Sequence, residues 1–423
     1  MEKIFEKSEF DVIIIGSGTC GATIARELCK HKKKVLILEQ GDNLPLKETF
    51  MGIGAIAKQA PLADNITAMR AITTGGSTAL YFAITKLPPL KAFLSLGIDL
   101  SKELEEAKKE LPIIEFPDEL LTPQSIRLRE SMETLGYPTK KSMILLDKSK
   151  CISGYSYDAK WKAKDFVEDA VRDGAILKNK ATVTKILVEK NQAIGVEYKH
   201  KSKTCQVYGS KIILSAGSLS SMKILRDSGI QDVVNRGFYC KPGFVMFGVV
   251  PDLKGKSDSF VGSISADYEE GGELGDTNMS NTLFKMLMLQ NLKLRNISSN
   301  FKTISLGVMI QDAMGGKLKE NGCYHKQLTT EDLKKMKKGE EVATQILKAT
   351  GAKNIFKGKV ITGGSPNGVI RINEHLDVNL QTKFRNLYVC DSSLISEEMT
   401  EATPTLTLVC LSKYLAKHLL TSI

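Results

Sequence analysis

The sequence has no paired-cysteine motif. Cys20, Cys29, Cys151, Cys205, Cys240, Cys323, Cys390 and Cys410 are scattered without a single C-x-x-C. That excludes zinc-ribbon spacing and a thioredoxin-type dithiol, and no metal is expected. Three of the eight sit in apolar runs, where a reduced cysteine packs as a small hydrophobe, and the set fits a reducing compartment. No apolar run approaches the ~20 residues that a bilayer span needs. The opening MEKIFEKSEF is charged and lacks the apolar core of a secretory leader. The expected location is therefore cytoplasmic. Repeats and low-complexity tracts are absent too.

The net charge of +11 is accompanied by neither a basic stripe interleaved with aromatics nor zinc-finger spacing. Nucleic acid is thus not an expected partner. The charge reads as a lysine-rich surface, compatible with anionic substrates or transient contact with a membrane surface. What is present is a globular composition, 42% hydrophobic and 25% charged over 423 residues. That is enough for one large domain or two intertwined ones.

The clearest signal is FDVIIIGSGTCGATIARELCKHKKKVLILEQGD. Val12 to Ile15 form a continuous β-branched run, as a buried parallel strand requires. Gly16, Gly18 and Gly21 follow in G-x-G-x-x-G spacing and lead into a helix-periodic segment ending near Lys30. A second strand, Val35 to Leu38, ends in Glu39. Gly16 permits the tight turn, Gly18 lets backbone approach a pyrophosphate, and Gly21 lets helix and strand pack closely. The helix N-terminus offers free N–H groups to phosphate, and Glu39 is placed for ribose hydroxyls. An acid there argues against a 2′-phosphate, but FAD and NAD both remain open.

Three further segments break the tie. TTGGSTALYFA (73–83) is a Gly-Gly-Ser-Thr turn before an apolar stretch. SKIILSAGSLSSMKILRDSGI (210–230) is a strand, an Ala216-Gly217-Ser218 turn and a helix. FRNLYVCDSSLISEEMTEATPTLTLVCLSKYLAKHLL carries a strand ending in Asp391 and a helix opening at Thr403-Pro404, with Pro404 suited to a first turn. On these residues the chain resembles the glucose–methanol–choline (GMC) oxidoreductases, FAD-dependent alcohol oxidases and dehydrogenases. GSLSSMKILRDSGI follows that family's second signature, departing at Gln231, where glycine is usual. NLYVCDSS and TPTLTL follow its C-terminal block. CISGYSYDAKWKA (151–163) is similar to a segment of the long-chain-alcohol branch. The likeness covers roughly half of the chain, and the chain is shorter than most of the family.

The resemblance implies FAD and assigns residues to it. Gly16, Gly18, Thr19, Cys20, Gly21, Glu39 and Gln40 would hold the ADP half. Gly75, Gly76 and Ser77 would lie near the pyrophosphate and isoalloxazine. Val183 would meet adenine through its backbone, with Ala216 and Gly217 nearby. Asp391 and Ser392 would bind the pyrophosphate–ribityl region, and Thr403, Pro404 and Thr405 would reach the pyrimidine edge from a helix N-terminus. The positive end of that helix would stabilise reduced flavin.

The implied fold is α/β. A Rossmann-like FAD-binding domain with a parallel sheet and helices would comprise 1–85, 150–235 and 356–423. An α+β substrate domain with an antiparallel sheet would comprise 86–149 and 236–355. LSKELEEAKKELP reads as an exposed helix with acid–base pairs. TTEDLKKMKKGEEVATQILKATGA reads as one or two helices with a Thr-x-x-Asp start at Thr329. The Met-rich run Phe284 to Leu292 is core or the wall of an apolar substrate cavity.

The family takes the substrate's hydroxyl proton with a histidine in a His-x-x-Gly-Gly or Gly-Thr turn, partnered by Asn or His before the last helix. Aligning VITGG onto that turn places Val360 at the histidine, and ATPTLT places Thr403 at the partner. Valine cannot transfer a proton, and threonine is a poor base. Glu397, Glu398 and Glu401 precede the last helix, where burial could raise a carboxyl toward neutrality. Against that stands the reading as solvent-exposed loop acids. Tyr81 is either a hydroxyl facing the flavin or an aromatic core contact. The candidate catalytic set is Glu401, Tyr81 and Thr403. His325 and Asp312 are weaker candidates, His375 is expected at the surface, and Ser365 has no activating neighbour. Cys151 is a candidate redox thiol without a partner cysteine.

Three functions follow. The first is hydride transfer between flavin N5 and an apolar CH–OH substrate, with an electron acceptor or donor besides. The second is flavin-dependent reduction or isomerisation of a C=C bond in a lipid or isoprenoid. The third is a non-catalytic FAD-binding electron-transfer subunit.

Overall fold

Five parallel strands finish in one row. Phe5–Ile15 is flanked by Val35–Leu38 and Lys203–Leu214, and the register aligns Ile15 with Leu38 on one side and Leu214 on the other. Ile176–Lys178 extends the sheet beyond Val35–Leu38, and Leu387–Val389 extends it beyond Lys203–Leu214, aligning Val389 with Leu214. These strands are the β-branched runs of the sequence, and Val12, Ile13, Ile14, Ile37, Ile212 and Ile213 are fully buried. The crevice beyond the carboxyl ends of parallel strands is where α/β sheets bind ligands. Here it opens on Gly16, Glu39, Ser215 and Asp391 together. The structure is a computed structural model that describes residues 5–63, 66–230, 237–362, 366–399 and 403–422.

Lys203–Leu214 outruns its parallel partners, and its first half carries an antiparallel ribbon of Ala181–Glu189 and Gln192–His200. Two tight turns connect this ribbon. Lys190 and Asn191, then Lys201 and Ser202, all have positive φ between 46° and 64°. That is the geometry whose twist suits a two-residue hairpin.

Helices Thr19–Lys30, Ala163–Arg172 and Thr405–Ser422 pack together beside this sheet. Residue Lys413 of the last helix is 1% exposed, and its ammonium lies 3.2 Å from Glu27 and 3.0 Å from Glu110. Arg26 joins Glu110 at 2.7 Å and Asp169 at 3.0 Å, so one ion network ties four helices.

The second sheet has nine strands. Its order is Ala57–Ala63, Ile66–Ala71, Ile361–Thr362, Pro242–Val249, Thr303–Ile310, Gly272–Asp276, Ile264–Glu269 and Lys140–Lys141, with Asn354–Lys357 also paired to Pro242–Val249. Helix Thr330–Ala349 covers it. That segment is one helix with the expected start: Thr329 Oγ1 accepts from Asp332 N at 3.1 Å, and Asp332 returns the bond at 2.8 Å. Gly339 is needed there, because a Cβ would come within 2.4 Å of Val308.

The strands within 57–71 and 354–362 belong to the nine-stranded sheet rather than to the parallel one. The 57–71 hairpin pairs along its outer edge with Ile361, so the chain visits the second sheet before it forms the Gly75 turn. LSKELEEAKKELP is helical over Ser101–Glu110, although Glu103, Leu104 and Ala107 are buried. The Met-rich run forms helix Asn281–Gln290, whose Phe284 and Met288 pack with Phe247, Val261 and Met279 in a separate apolar cluster.

Candidate active site

The turn after Ile15 gives its three glycines three different jobs. Gly16 has φ +97°, and a Cβ there would lie 2.6 Å from the Ser215 carbonyl oxygen. At Gly21 a Cβ would lie 2.0 Å from the Gly16 carbonyl oxygen, so this glycine serves helix–strand packing. At Gly18 a Cβ would meet nothing within 4 Å. The space it would fill belongs to a cavity of about 560 Å³ that Gly18 helps line.

Helices Thr19–Lys30 and Ser218–Asp227 begin at this cavity, preceded by Gly18 and Gly217 respectively, and neither has a side-chain cap. Thr405–Ser422 begins there too, with Pro404, Thr405 and Leu408 in the wall. Uncapped N–H groups at helix N-termini are ready donors for phosphate oxygens. A Cβ at Gly217 would also meet nothing within 4 Å.

Glu39 is 6% exposed and organises the turn. One carboxylate oxygen accepts from Ser17 N at 3.0 Å and from Ser17 Oγ at 2.6 Å, and the other accepts from Gly41 N at 2.6 Å. Ser17 Oγ in turn accepts from Gly75 N at 3.2 Å. Ser17 therefore couples the dinucleotide turn to the Gly75–Gly76 turn, a role the sequence reading missed because position 17 is a free x of the motif. The two turns touch: a Cβ on Gly76 would lie 2.9 Å from Gly18 Cα.

Of the sequence-expected cofactor residues, Gly16, Gly18, Thr19, Cys20, Glu39, Gln40, Gly76, Ser77, Val183, Ala216, Gly217, Asp391, Ser392, Pro404 and Thr405 all line this one cavity. Gly21 and Gly75 support it from behind. Val183 lies where the antiparallel ribbon breaks register, between Val183 and Lys185. Such bulges re-aim backbone near binding sites. Asp391 is saturated by the protein. Its carboxylate accepts from Gly217 N at 3.0 Å, Ser221 Oγ at 2.5 Å, Ser393 N at 2.9 Å and Ser393 Oγ at 2.5 Å. Burial pushes its pKa up against these bonds. The carboxylate thus fixes the Ala216-Gly217 turn.

The catalytic candidates part company. Tyr81 lines the cavity, but its hydroxyl donates to the Trp161 carbonyl, and burial raises its pKa well above the usual phenol value. Thr403 Oγ1 is buried without a hydrogen-bond partner. Glu401, Gly363, Gly364 and Ser365 lie outside the described residues. Val360 packs against the main apolar core. Glu397 pairs with Arg371 at 3.5 Å.

The weaker candidates have structural partners. Asp312 is buried, 2.5 Å from Lys326, and accepts from the backbone N–H groups of Cys240 and Lys241. His375, expected at the surface, has a side chain only 7% exposed, and its Nδ1 accepts from Arg371 N at 3.0 Å. Cys151 is buried with its pKa raised, and its thiol donates to the Asp147 carbonyl, which does not suit a redox thiolate.

Two more residues were missed. Asn367 is 7% exposed, lines the cavity, and has an amide oxygen buried without a partner. Its backbone is locked by reciprocal bonds with Tyr239, at 2.9 and 3.2 Å. It lies two residues beyond the Gly-Gly-Ser turn, in a Pro-Asn-Gly that reads as an ordinary loop. Arg70 also lines the cavity. It donates to Ser220 Oγ at 3.1 Å, while its Nε is buried unpartnered. It sits in a strand that alternates without a sequence motif.

Comparison with known proteins agrees with this geometry. A family model described as GMC oxidoreductase matches residues 96–242, and one for an NAD(P)-binding Rossmann-like domain matches 14–45. An uncharacterized protein of Methanocaldococcus jannaschii is 23% identical, over 97% of this chain and 100% of that one. Long-chain-alcohol oxidase FAO3 of Arabidopsis thaliana is 22% identical over 82% of this chain, which spans 53% of that protein. Among solved structures, pyridoxine 4-oxidase from Mesorbium loti aligns with a TM-score of 0.76 at 15% identity, covering 97% of this chain and 99% of that one. Formate oxidase aligns with a TM-score of 0.78 at 14% identity, covering 99% of both. The open space at Gly18, the uncapped helix ends and the buried Glu39 fit FAD, the cofactor of these oxidoreductases. The chain is similar to the GMC oxidoreductases, whose family model matches residues 96–242, and its cavity fits their cofactor.

Proposed function

We propose that the protein is an FAD-dependent oxidoreductase that moves hydride between the flavin and an apolar CH–OH substrate. The observation that carries this is one continuous cavity. It runs from the glycine turn to Pro366, Asn367, Pro404 and Thr405, and the Asn367 amide oxygen is buried there without a partner. A buried acceptor left unpaired costs about 1–3 kcal/mol, and a substrate hydroxyl would satisfy it. Ala68, Met69, Ile72, Leu219 and Leu408 supply apolar wall. Bound FAD would supply the hydride acceptor.

The protein's own part is to orient and deprotonate. Asn367 Oδ1 would accept from the substrate hydroxyl, and Thr403 Oγ1 would hold the flavin's pyrimidine edge. Glu401, four residues before the first residue of the last helix, would take the proton. The nine-stranded unit would supply the substrate side. Long-chain primary alcohols, offered without oxygen, should bleach the oxidised flavin. Replacing Glu401 by Gln should slow that bleaching by about 10²–10⁴-fold while FAD stays bound. Bleaching by no alcohol, together with reoxidation of pre-reduced flavin by prenyl or enone compounds, would replace this reading with C=C chemistry.

A further inference from the structure

Behind the Gly75–Tyr81 turn lies a second cavity, of about 210 Å³, lined by Lys150, Lys160, Lys162, Lys164, Asp158 and Asp165. None of these six lines the cofactor cavity. Lys160 and Lys162 are 5% and 8% exposed. Lys160 has a buried counter-ion, Glu48 at 3.1 Å. Lys162 has none: no carboxylate among the described residues lies within 4.0 Å of its Nζ. That ammonium donates to the carbonyls of Tyr157 at 2.8 Å and Lys160 at 2.9 Å and sits 4.1 Å from the Tyr157 ring centroid. Two of its three donors are used. Lys164 Nζ likewise donates to a carbonyl, that of Leu44 at 2.9 Å, and has no carboxylate within 4.0 Å among the described residues.

A buried ammonium without a counter-ion is costly, which is why such groups are normally paired. Burial and the neighbouring Lys160 push the Lys162 pKa down to about 8, while burial pushes that of Asp165 up. Asp158 and Asp165 line the same pocket and act on Lys162 from beyond ion-pair distance, so Lys162 and Lys164 are cationic donors without a direct ion pair. Several ammonium groups around one small space suit an anion with more oxygens than a carboxylate has, and lysine serves such anions as a point charge.

We propose that this cavity binds a small oxyanion of the phosphate class, held by Lys162 and Lys164, and that its occupancy is felt at the flavin turn. The coupling is direct. Tyr157 donates to the Ala79 carbonyl at 2.7 Å, Ala163 N donates to Thr78 Oγ1 at 3.0 Å, and Tyr81 donates to the Trp161 carbonyl. Residues 157–163 thus form one wall of the anion site and the backing of the cofactor turn.

The test titrates the FAD-loaded full chain with inorganic phosphate and with pyrophosphate at constant ionic strength and pH 7. Binding is followed by calorimetry and by the visible difference spectrum of the flavin. One saturable site per chain with a matching spectral shift is expected. Lys162→Met and Lys164→Met should each weaken it at least tenfold, and Lys108→Met, on an exposed helix face, should not. If Lys162→Met does not fold, Lys164→Met alone decides. Absence of saturable binding of either anion, or binding unchanged in the lysine variants, would overturn the site. Saturable binding with no spectral shift would overturn the coupling. Tighter binding of pyrophosphate than of phosphate assigns the site to a diphosphate group rather than to the free ion.

Discussion

Glycine 18 and glycine 21 belong to one motif but fail differently. Gly18→Ala puts a methyl group into open cavity. The expected outcome is a protein with unchanged thermal midpoint and sharply weakened FAD binding, read by flavin fluorescence on titration. Gly21→Ala drives a methyl into the Gly16 carbonyl oxygen at 2.0 Å. Loss of the fold itself is expected there, seen as a lowered thermal midpoint even without FAD. Tyr81→Phe removes a hydroxyl that donates to a backbone carbonyl. Flavin reduction by substrate should then stay within a few-fold of the parent rate, and a loss of 10²-fold or more would return Tyr81 to the catalytic set. At this scale the sequence showed where cofactor atoms must pass, because glycines and Glu39 are constrained by close approach. It did not show Asn367 or Arg70, whose importance comes from being buried without partners, a property of the surroundings rather than of the residue.

Whole elements were legible where their periodicity or capping was local. The Thr329 start of helix Thr330–Ala349 is written in Thr-x-x-Asp, and the β-branched runs of the parallel strands stand out. The hairpin turns at Lys190–Asn191 and Lys201–Ser202 were not, because neither contains the glycine that usually marks such turns. The C-terminal helix shows what tertiary contact adds. Lys413 looks like an ordinary surface lysine in the sequence, yet it is enclosed by Glu27, Glu106 and Glu110. Lys413→Ala should cost about 2 kcal/mol in urea denaturation, below the usual penalty for breaking a buried pair because the carboxylates remain partly hydrated. FAD should be released at lower urea, since this helix begins in the cofactor wall.

A second element-scale effect lies in the strand ending at Asp276. This carboxyl is fully buried, accepts from Ser125, Ser263 and Asn278, and is pushed up to about 6 by burial. Its folded pKa exceeds its unfolded one, so the folded state holds the proton more tightly. Stability must therefore fall as pH rises from about 4 to about 6, by on the order of 3 kcal/mol. Asp276→Asn should remove that slope relative to the parent when chemical denaturation is compared between pH 4 and 7.

Across the whole molecule, two sheets share one chain that crosses between them repeatedly. The parallel order was inferable from the dinucleotide motif. The membership of 57–71 in the other sheet was not, because it depends on pairing with Ile361, almost three hundred residues away. No helix among the described residues is long and apolar enough to cross a membrane. The central claim is that the cavity at the strand ends is built for FAD. The direct measurement is the cofactor content of the purified, denatured protein, by visible spectrum and chromatography. One FAD per chain, present as purified or regained on reconstitution, is the expected result. A nicotinamide dinucleotide in its place, or no flavin even after reconstitution, would contradict the account.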